Sequence, residues 1–204
     1  MTQIAAVILA AGSGRRFGSN KMLATLKQGD RELPLLAFSL QPWLEVFERL
    51  TVVTQAGDDA IKRSMKYVLD RYADIQWVEC PDADKGMGLS LACGIQHTVN
   101  AEGWVIGLGD MPQIPSSVIS KVRDGLIEGN AIVVPFCEGR RGHPIGLSSL
   151  YKPQLLMLDQ DTGAKHLLEQ NASFIKRIDV TDTGICADID TPSDLDYLQS
   201  TLNK

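Results

Sequence analysis

An α/β fold, with a mostly parallel sheet and helices on both faces, is predicted by three features of this 204-residue chain. Short apolar runs alternate with segments of helical periodicity through most of its length. The first run, Ile4 to Ala11, is apolar throughout, as a strand buried on both faces must be. It ends in the glycine-rich turn Gly12-Ser13-Gly14-Arg15-Arg16-Phe17-Gly18, and in such sheets ligands bind beyond the carboxyl ends of the strands.

The remaining elements follow in order. Leu33 to Val46 has apolar residues at Leu36, Phe38, Leu40 and Leu44 and reads as a helix that starts near Pro34 and breaks or ends near Pro42. Leu50 to Thr54 is short and β-branched, a second strand. The turn from Gln55 to Asp59 leads into a helix from about Ala60 to Tyr72, and Ile75 to Val78 is a third strand. Pro81 to Gly88 is a loop, followed by a helix over Ser90 to Val99. Trp104 to Gly109 is a fourth strand, ending at Asp110-Met111-Pro112. Pro115 opens a helix that runs to about Glu128; Ala131 to Pro135 is a fifth strand and Gly146 to Leu150 a shorter one. Thr162 to Gln170 reads as a helix, Phe174 to Val180 as a strand, and Pro192 to Leu202 as a closing helix with proline at its first position. The turns after the first and fourth strands carry Gly12 to Lys21 and Asp110, so they converge on one side of the sheet.

The length suits one globular domain over residues 1–204, and 44% hydrophobic against 22% charged residues fits a folded rather than a disordered chain. A net charge of −5 disfavours a general nucleic-acid or membrane surface while leaving room for a local basic pocket. No apolar run is long enough to span a bilayer, and Met1-Thr2-Gln3 leads straight into a strand, so neither a membrane span nor a secretory signal is expected. Cys80, Cys93, Cys137 and Cys186 are scattered, and His97, His143 and His166 lack metal-ligand spacing. A zinc site or disulfide framework is therefore not expected, and a reducing cytoplasm fits.

The glycines of the first turn permit backbone angles closed to other residues and let main-chain N–H groups approach a ligand. Such amides form a nest for an anion, and Arg15, Arg16 and Lys21 add positive charge where a polyphosphate would sit. The turn matches neither the P-loop nor the dinucleotide pattern, because no Gly-Lys-Ser/Thr follows and position 17 is Phe. Asp110 stands just past a buried strand, where a carboxylate either holds a metal or caps a turn. Asp188 and Asp190 lie two apart, on one side of an extended chain; either both approach the same metal, or Asp190 or Thr191 caps the closing helix. Asp84 to Ser90 opens a helix whose free N–H groups suit a base or phosphate, though a plain helix-entry turn reads equally well. Arg140-Arg141-Gly142-His143-Pro144 is a basic loop before a strand; such a run is most often a solvated face. Thr162-Gly163-Ala164-Lys165 is a further turn in that half of the chain.

Five strings together resemble the molybdenum cofactor cytidylyltransferases, within the molybdopterin-guanine-dinucleotide-synthase-like nucleotidyltransferases. They are Leu9-Ala10-Ala11-Gly12-Ser13-Gly14-Arg15-Arg16-Phe17-Gly18 with Lys21, Gly86-Met87-Gly88-x-Ser90-Leu91, Gly109-Asp110-Met111-Pro112, Arg141-Gly142-His143-Pro144, and Asp188-Ile189-Asp190-Thr191-Pro192. The guanylyl relatives read Leu-Ala-Gly-Gly where this chain has Leu9-Ala10-Ala11-Gly12, and they lack the Arg-Gly-His-Pro string, so Ala11 points to cytosine. One departure is that Ser19-Asn20 precedes Lys21, where relatives often place an acidic residue.

The resemblance implies a Rossmann-like three-layer nucleotidyltransferase fold. Nucleotide binding would fall to the part up to about residue 112 and acceptor binding to the rest. It implies CTP as donor, molybdenum-molybdopterin as acceptor, Mg²⁺ (or Mn²⁺) as metal, and transient docking with a molybdenum hydroxylase, with no nucleic acid or membrane partner. Arg16, Lys21 and Asp110 would be catalytic. Leu9, Ala10, Ala11, Gly12, Ser13, Gly14, Arg15, Gly86 and Ser90 would bind the nucleotide, Asp110 and Asp190 the metal, and Arg141, Gly142 and His143 the acceptor. Three rival readings are a nucleotidyltransferase acting on a sugar phosphate or isoprenoid precursor, a non-catalytic cofactor chaperone, and a dinucleotide-binding oxidoreductase. Arg141 to Pro144, the full set of charged residues, and the displaced third glycine count against them respectively.

Overall fold

Apolar residues on both faces of a strand require a helix layer on each side, and the first strand shows this directly. The structure, a computed structural model, describes residues 3–12, 14, 17–159 and 163–202. Its strands are β1 (Ile4–Leu9), β2 (Thr25–Gln28), β3 (Arg31–Pro34), β4 (Leu50–Gln55), β5 (Ile75–Cys80), β6 (Gly103–Leu108), β7 (Ile132–Cys137), β8 (Arg140–Arg141), β9 (Ile145–Ser148) and β10 (Ile175–Asp179). Its helices are α1 (Leu35–Val46), α2 (Asp59–Val68), α3 (Met87–His97), α4 (Ser116–Ile127), α5 (Lys152–Leu156), α6 (Lys165–Gln170) and α7 (Pro192–Leu202). Ala6 and Ile8 of β1 pack into the layer of α1, α2, α4 and α7. Val7 and Leu9 pack into the layer of α3, α5 and α6. Both layers are apolar and closed to water, which is where most of the stabilisation resides.

The main sheet runs β10-β7-β9-β6-β1-β4-β5, with β8 paired to β7. β1, β4, β5 and β6 are mutually parallel, as are β7 and β10. β9 is antiparallel to both β6 and β7, with Ile145 opposite Ile106 and Ser148 opposite Gly103. This reversal decides where the loop before β9 falls: the start of β9 lies beside the carboxyl-terminal half of β6. Residues 140–144, which precede a strand, therefore share the edge of the sheet with Asp110, which follows one.

Several elements differ from the expected ones. α1 runs through Pro42 without breaking. Pro42 deprives the Phe38 carbonyl of a donor, but Leu40, Trp43 and Leu44 on either side are all buried, and a side chain on Gly107 would collide with the Trp43 ring. That packing holds the helix across the proline. β2 and β3 form a separate antiparallel hairpin, with Leu26 opposite Leu33, where no strand was expected. α5 was also unforeseen; at 5 residues it is too short to show periodicity. The helix expected from Thr162 begins at Lys165, and Thr162 itself lies outside the described residues. α7 spans the expected residues.

Candidate active site

The site grows from the carboxyl edge of β1 and β6. Gly109 N–H donates to the Leu9 carbonyl at 2.8 Å, tying the two strand ends together. Ile189 N–H donates to the Asp110 carbonyl at 2.9 Å, which draws the segment before α7 onto the same edge. Thr191 and Asp194 then start α7 reciprocally. The Asp194 carboxylate accepts from the Thr191 N–H at 2.7 Å and from its hydroxyl at 2.8 Å, and the Asp194 N–H donates to that hydroxyl oxygen at 3.3 Å. This capping box takes over the capping role, and the Asp190 side chain turns toward Lys21.

Lys21 is buried, and its Nζ donates to Asp110 Oδ2 at 2.7 Å, to Asp190 Oδ1 at 3.0 Å and to the Ile189 carbonyl at 3.0 Å. Three acceptors match the three protons of an ammonium. Burial alone would lower the Lys21 pKa, but the combined pull of Asp110 and Asp190 raises it above the ordinary lysine value. Burial raises the Asp110 pKa against the opposing pull of Lys21. Oδ1 of Asp110 is buried with no hydrogen-bond partner among the described residues. A buried carboxylate oxygen without a donor is costly, and a cation would satisfy it. Among the described residues no three His, Cys, Asp or Glu side chains converge. The donor set is thus two hard carboxylates, which suits Mg²⁺ or Mn²⁺ completing its shell with phosphate and water.

Beside this cluster lies a cavity of about 330 Å³ lined by Leu9, Ala11, Gly12, Met22, residues 83–87, Ser90, Leu108 and Asp110. One wall is the end of β1; the other is the loop into α3. Six of the residues singled out from sequence, Leu9, Ala11, Gly12, Gly86, Ser90 and Asp110, are brought together here. Ala10 faces away into the α1 layer. Gly12 departs from the expectation of a left-handed backbone: positive φ falls at Gly14 and Gly18 instead. A side chain on Gly12 would meet nothing within 4 Å among the described residues, so its contribution is clearance. Gly14, at φ +55°, also passes so close to the Ser19 carbonyl that a Cβ would sit 2.7 Å from it. Ser13, Arg15 and Arg16 lie outside the described residues.

Arg141, Gly142 and His143 are not among the residues lining that cavity. Arg141 is exposed, Gly142 is buried and the His143–Pro144 peptide is cis. Gly142 is required by packing, since a Cβ would lie 2.4 Å from the Ile185 carbonyl. That carbonyl also accepts from the His143 N–H at 2.8 Å. The His143 ring hydrogen-bonds the Ile106 carbonyl, while Nδ1 is buried without a partner among the described residues. Burial lowers the His143 pKa to about 4, with Arg141 adding to the effect. The imidazole is therefore neutral near pH 7 and offers a bare acceptor nitrogen, unlike the solvated basic face expected of the run. Asp188 is exposed, and its charge is felt by both Asp110 and His143.

The turn after β4, expected only as the lead into a helix, also reaches the first turn. Gln55 Nε2 donates to the Ala11 carbonyl at 3.1 Å, and Asn20 Nδ2 donates to Asp58 Oδ2 at 2.8 Å. Both contacts span about forty residues of chain, so no local signal marks them.

Residues 6–174 match the MobA-like NTP transferase domain. The chain belongs to that family. It is a nucleotidyltransferase, and Asp190 with α7 lies past the matched stretch. The purine catabolism protein PucB of Bacillus subtilis (strain 168) is 28% identical over 206 residues, 97% of this chain and 96% of its own length. A probable molybdenum cofactor guanylyltransferase of Bacillus cytotoxicus is 26% identical over 148 residues, 72% of this chain and 68% of its own. The crystal structure of Rv0371c from Mycobacterium tuberculosis H37Rv superposes with a TM-score of 0.80 at 27% identity, covering 98% of each chain. The same mycobacterial protein has also been crystallised in complex with manganese. The central sheet and flanking helices of this nucleotidyltransferase are those of its structural neighbours.

Proposed function

We propose that this nucleotidyltransferase moves CMP from CTP onto the terminal phosphate of molybdenum-molybdopterin, yielding the cytosine dinucleotide cofactor and pyrophosphate. The observation that carries the reading is the single cavity that sets Ala11, Gly12, Gly86 and Ser90 beside Asp110. Ala11 stands where the guanylyl relatives have glycine, and it faces the wall formed by the loop into α3. The part up to about residue 112 would hold the nucleotide and the rest the acceptor, in the cytoplasm.

In this reading an acceptor phosphate oxygen attacks the α-phosphorus of CTP, and the bond to pyrophosphate breaks. Such transfers need positioning and charge stabilisation more than covalent help. The turn from Gly12 to Gly18 would cradle the phosphates, with Arg15 and Arg16 adding charge. Lys21 would face the leaving pyrophosphate, since it is a buried cation bonded to Asp110 of the cavity lining. Asp110 and Asp190 would hold Mg²⁺, or Mn²⁺ as in the mycobacterial crystal, and the ion would neutralise phosphate charge. Gly142 would leave clearance for the acceptor, Arg141 would meet its phosphate, and neutral His143 would accept a hydrogen bond from its heterocycle. The product would pass to a molybdenum hydroxylase by transient docking.

A second reading keeps the acceptor and changes the base to guanine; the guanylyltransferase relative favours it. The test is pyrophosphate release with each of CTP, GTP, ATP and UTP in the presence of purified molybdenum cofactor. Release with CTP above the others is expected. Release with GTP above CTP supports the second reading, and none with any triphosphate overturns both.

A further inference from the structure

The glycine-rich turn after β1 is bounded by two residues whose polar groups are held by one other segment. At its start the Ala11 carbonyl accepts from Gln55; at its end the Asn20 amide donates to Asp58. Gln55 closes β4 and Asp58 stands just before α2, so four consecutive residues grip both ends of the turn.

Asp58 occupies the N-cap position of α2, where an aspartate ordinarily accepts from the first free N–H groups of its own helix. It makes no such bond. Its carboxylate is directed across the fold to Asn20 instead. The gripping segment is itself anchored: the Gly57 N–H donates to Glu79 Oε2 at 3.2 Å, and Glu79 is ion-paired with Lys62 of α2.

Asn20 passes the constraint on. While its Nδ2 donates to Asp58, its Oδ1 accepts from the Met22 N–H at 3.2 Å and caps the short 3₁₀ turn that carries Lys21. The two bonds use opposite ends of one amide, so fixing the donor end fixes the acceptor end. An acidic residue at position 20 would set a carboxylate against the Asp58 carboxylate. Asparagine at this position is therefore matched to the aspartate at position 58.

We propose that residues 55–58 are a clasp that positions Lys21, with Asp58 acting through Asn20 as a positioning pair for nucleotidyl transfer. The role in transfer rests on the reading under Proposed function; the clasp itself does not. The test uses the full chain with Asp58→Ala, Asn20→Asp, and the exchange Asn20→Asp with Asp58→Asn, in which amide and carboxylate trade places. Two quantities are read: kcat/KM for CTP alongside KM for molybdenum-molybdopterin, and amide exchange over residues 18–24.

Asn20→Asp is expected to lower kcat/KM for CTP about fivefold, and Asp58→Ala about threefold, the scale of an exposed polar pair. KM for the acceptor should stay unchanged, and exchange over 18–24 should speed up in both. The double exchange should restore both quantities to within about twofold, which loss of fold would not allow. A double variant as impaired as Asn20→Asp, or single variants with wild-type exchange over 18–24, overturns the clasp. If wild type transfers no nucleotide, the functional reading fails, and the exchange measurement still decides the clasp.

Discussion

Lys21 and His143 are both basic side chains brought to the carboxyl edge of the sheet, one by the turn after β1 and the other by the loop before the reversed strand β9. Each is largely removed from water. Lys21 keeps its charge because two carboxylates and a carbonyl meet its three protons. His143 loses its charge, because burial holds its pKa at about 4 against the opposing pull of the Ile106 carbonyl. Along this edge of the sheet one wall is thus organised by charge and the other, outside the cavity lining, by shape. Substitutions that alter charge should strike the first wall, and those that alter volume or pH the second.

The largest effect should come from the charged wall. Asp110→Ala removes the carboxylate whose Oδ1 has no partner among the described residues and leaves Lys21 with Asp190 and the Ile189 carbonyl. Transfer should fall about a thousandfold, with far-ultraviolet circular dichroism unchanged. Turnover within tenfold of wild type would show that the wall is not organised around that carboxylate.

On the second wall the expected effect is on acid stability. Unfolded histidine titrates near 6.5 and folded His143 near 4, so the unfolded state binds the extra proton between those values. Stability from the neutral imidazole is complete above pH 6.5 and is lost as pH falls to 4, on the order of 3 kcal/mol in all. Urea midpoints over that range should fall more steeply in wild type than in His143→Gln. Parallel profiles would mean that the imidazole is not held neutral by the fold.

A smaller loss is expected from Gly142→Ala. Its new Cβ would meet the Ile185 carbonyl at 2.4 Å, costing about 2 kcal/mol and shifting the loop before β9. KM for the acceptor should rise while KM for the nucleotide stays the same; the reverse split would place this loop on the nucleotide side. The smallest effect should follow Ala11→Gly, a few-fold loss of preference for CTP over GTP, about 1 kcal/mol. An unchanged ratio would mean the base is read elsewhere.

The charged wall was largely legible in the sequence. Asp110 sits just past an apolar run, and strand ends in a parallel sheet leave little choice of where it points; Lys21 was a cation of the first turn, and Asp190 stood out from Asp188 only through the resemblance. The second wall was legible only as a string. Nothing local says that β9 runs antiparallel, and that reversal is what buries Gly142 and the His143 Nδ1. The β2–β3 hairpin had a signal, the two-residue turn Gly29-Asp30 between short runs, but Pro34 drew attention to the helix that follows. Pro42 pointed to a break because propensity counts the missing N–H and not Trp43 seated against Gly107. Gln55 and Asp58 were ordinary turn residues until the fold brought them to Ala11 and Asn20.

The central claim is that CTP is the donor and molybdenum-molybdopterin the acceptor. Its most direct test is one reaction holding equal CTP and GTP with purified molybdenum-molybdopterin and Mg²⁺, the dinucleotide products separated by mass and pyrophosphate counted alongside. The cytosine dinucleotide in large excess, with pyrophosphate formed in equal amount, is the predicted result. A predominance of the guanine dinucleotide, or pyrophosphate without a molybdopterin product, would contradict it.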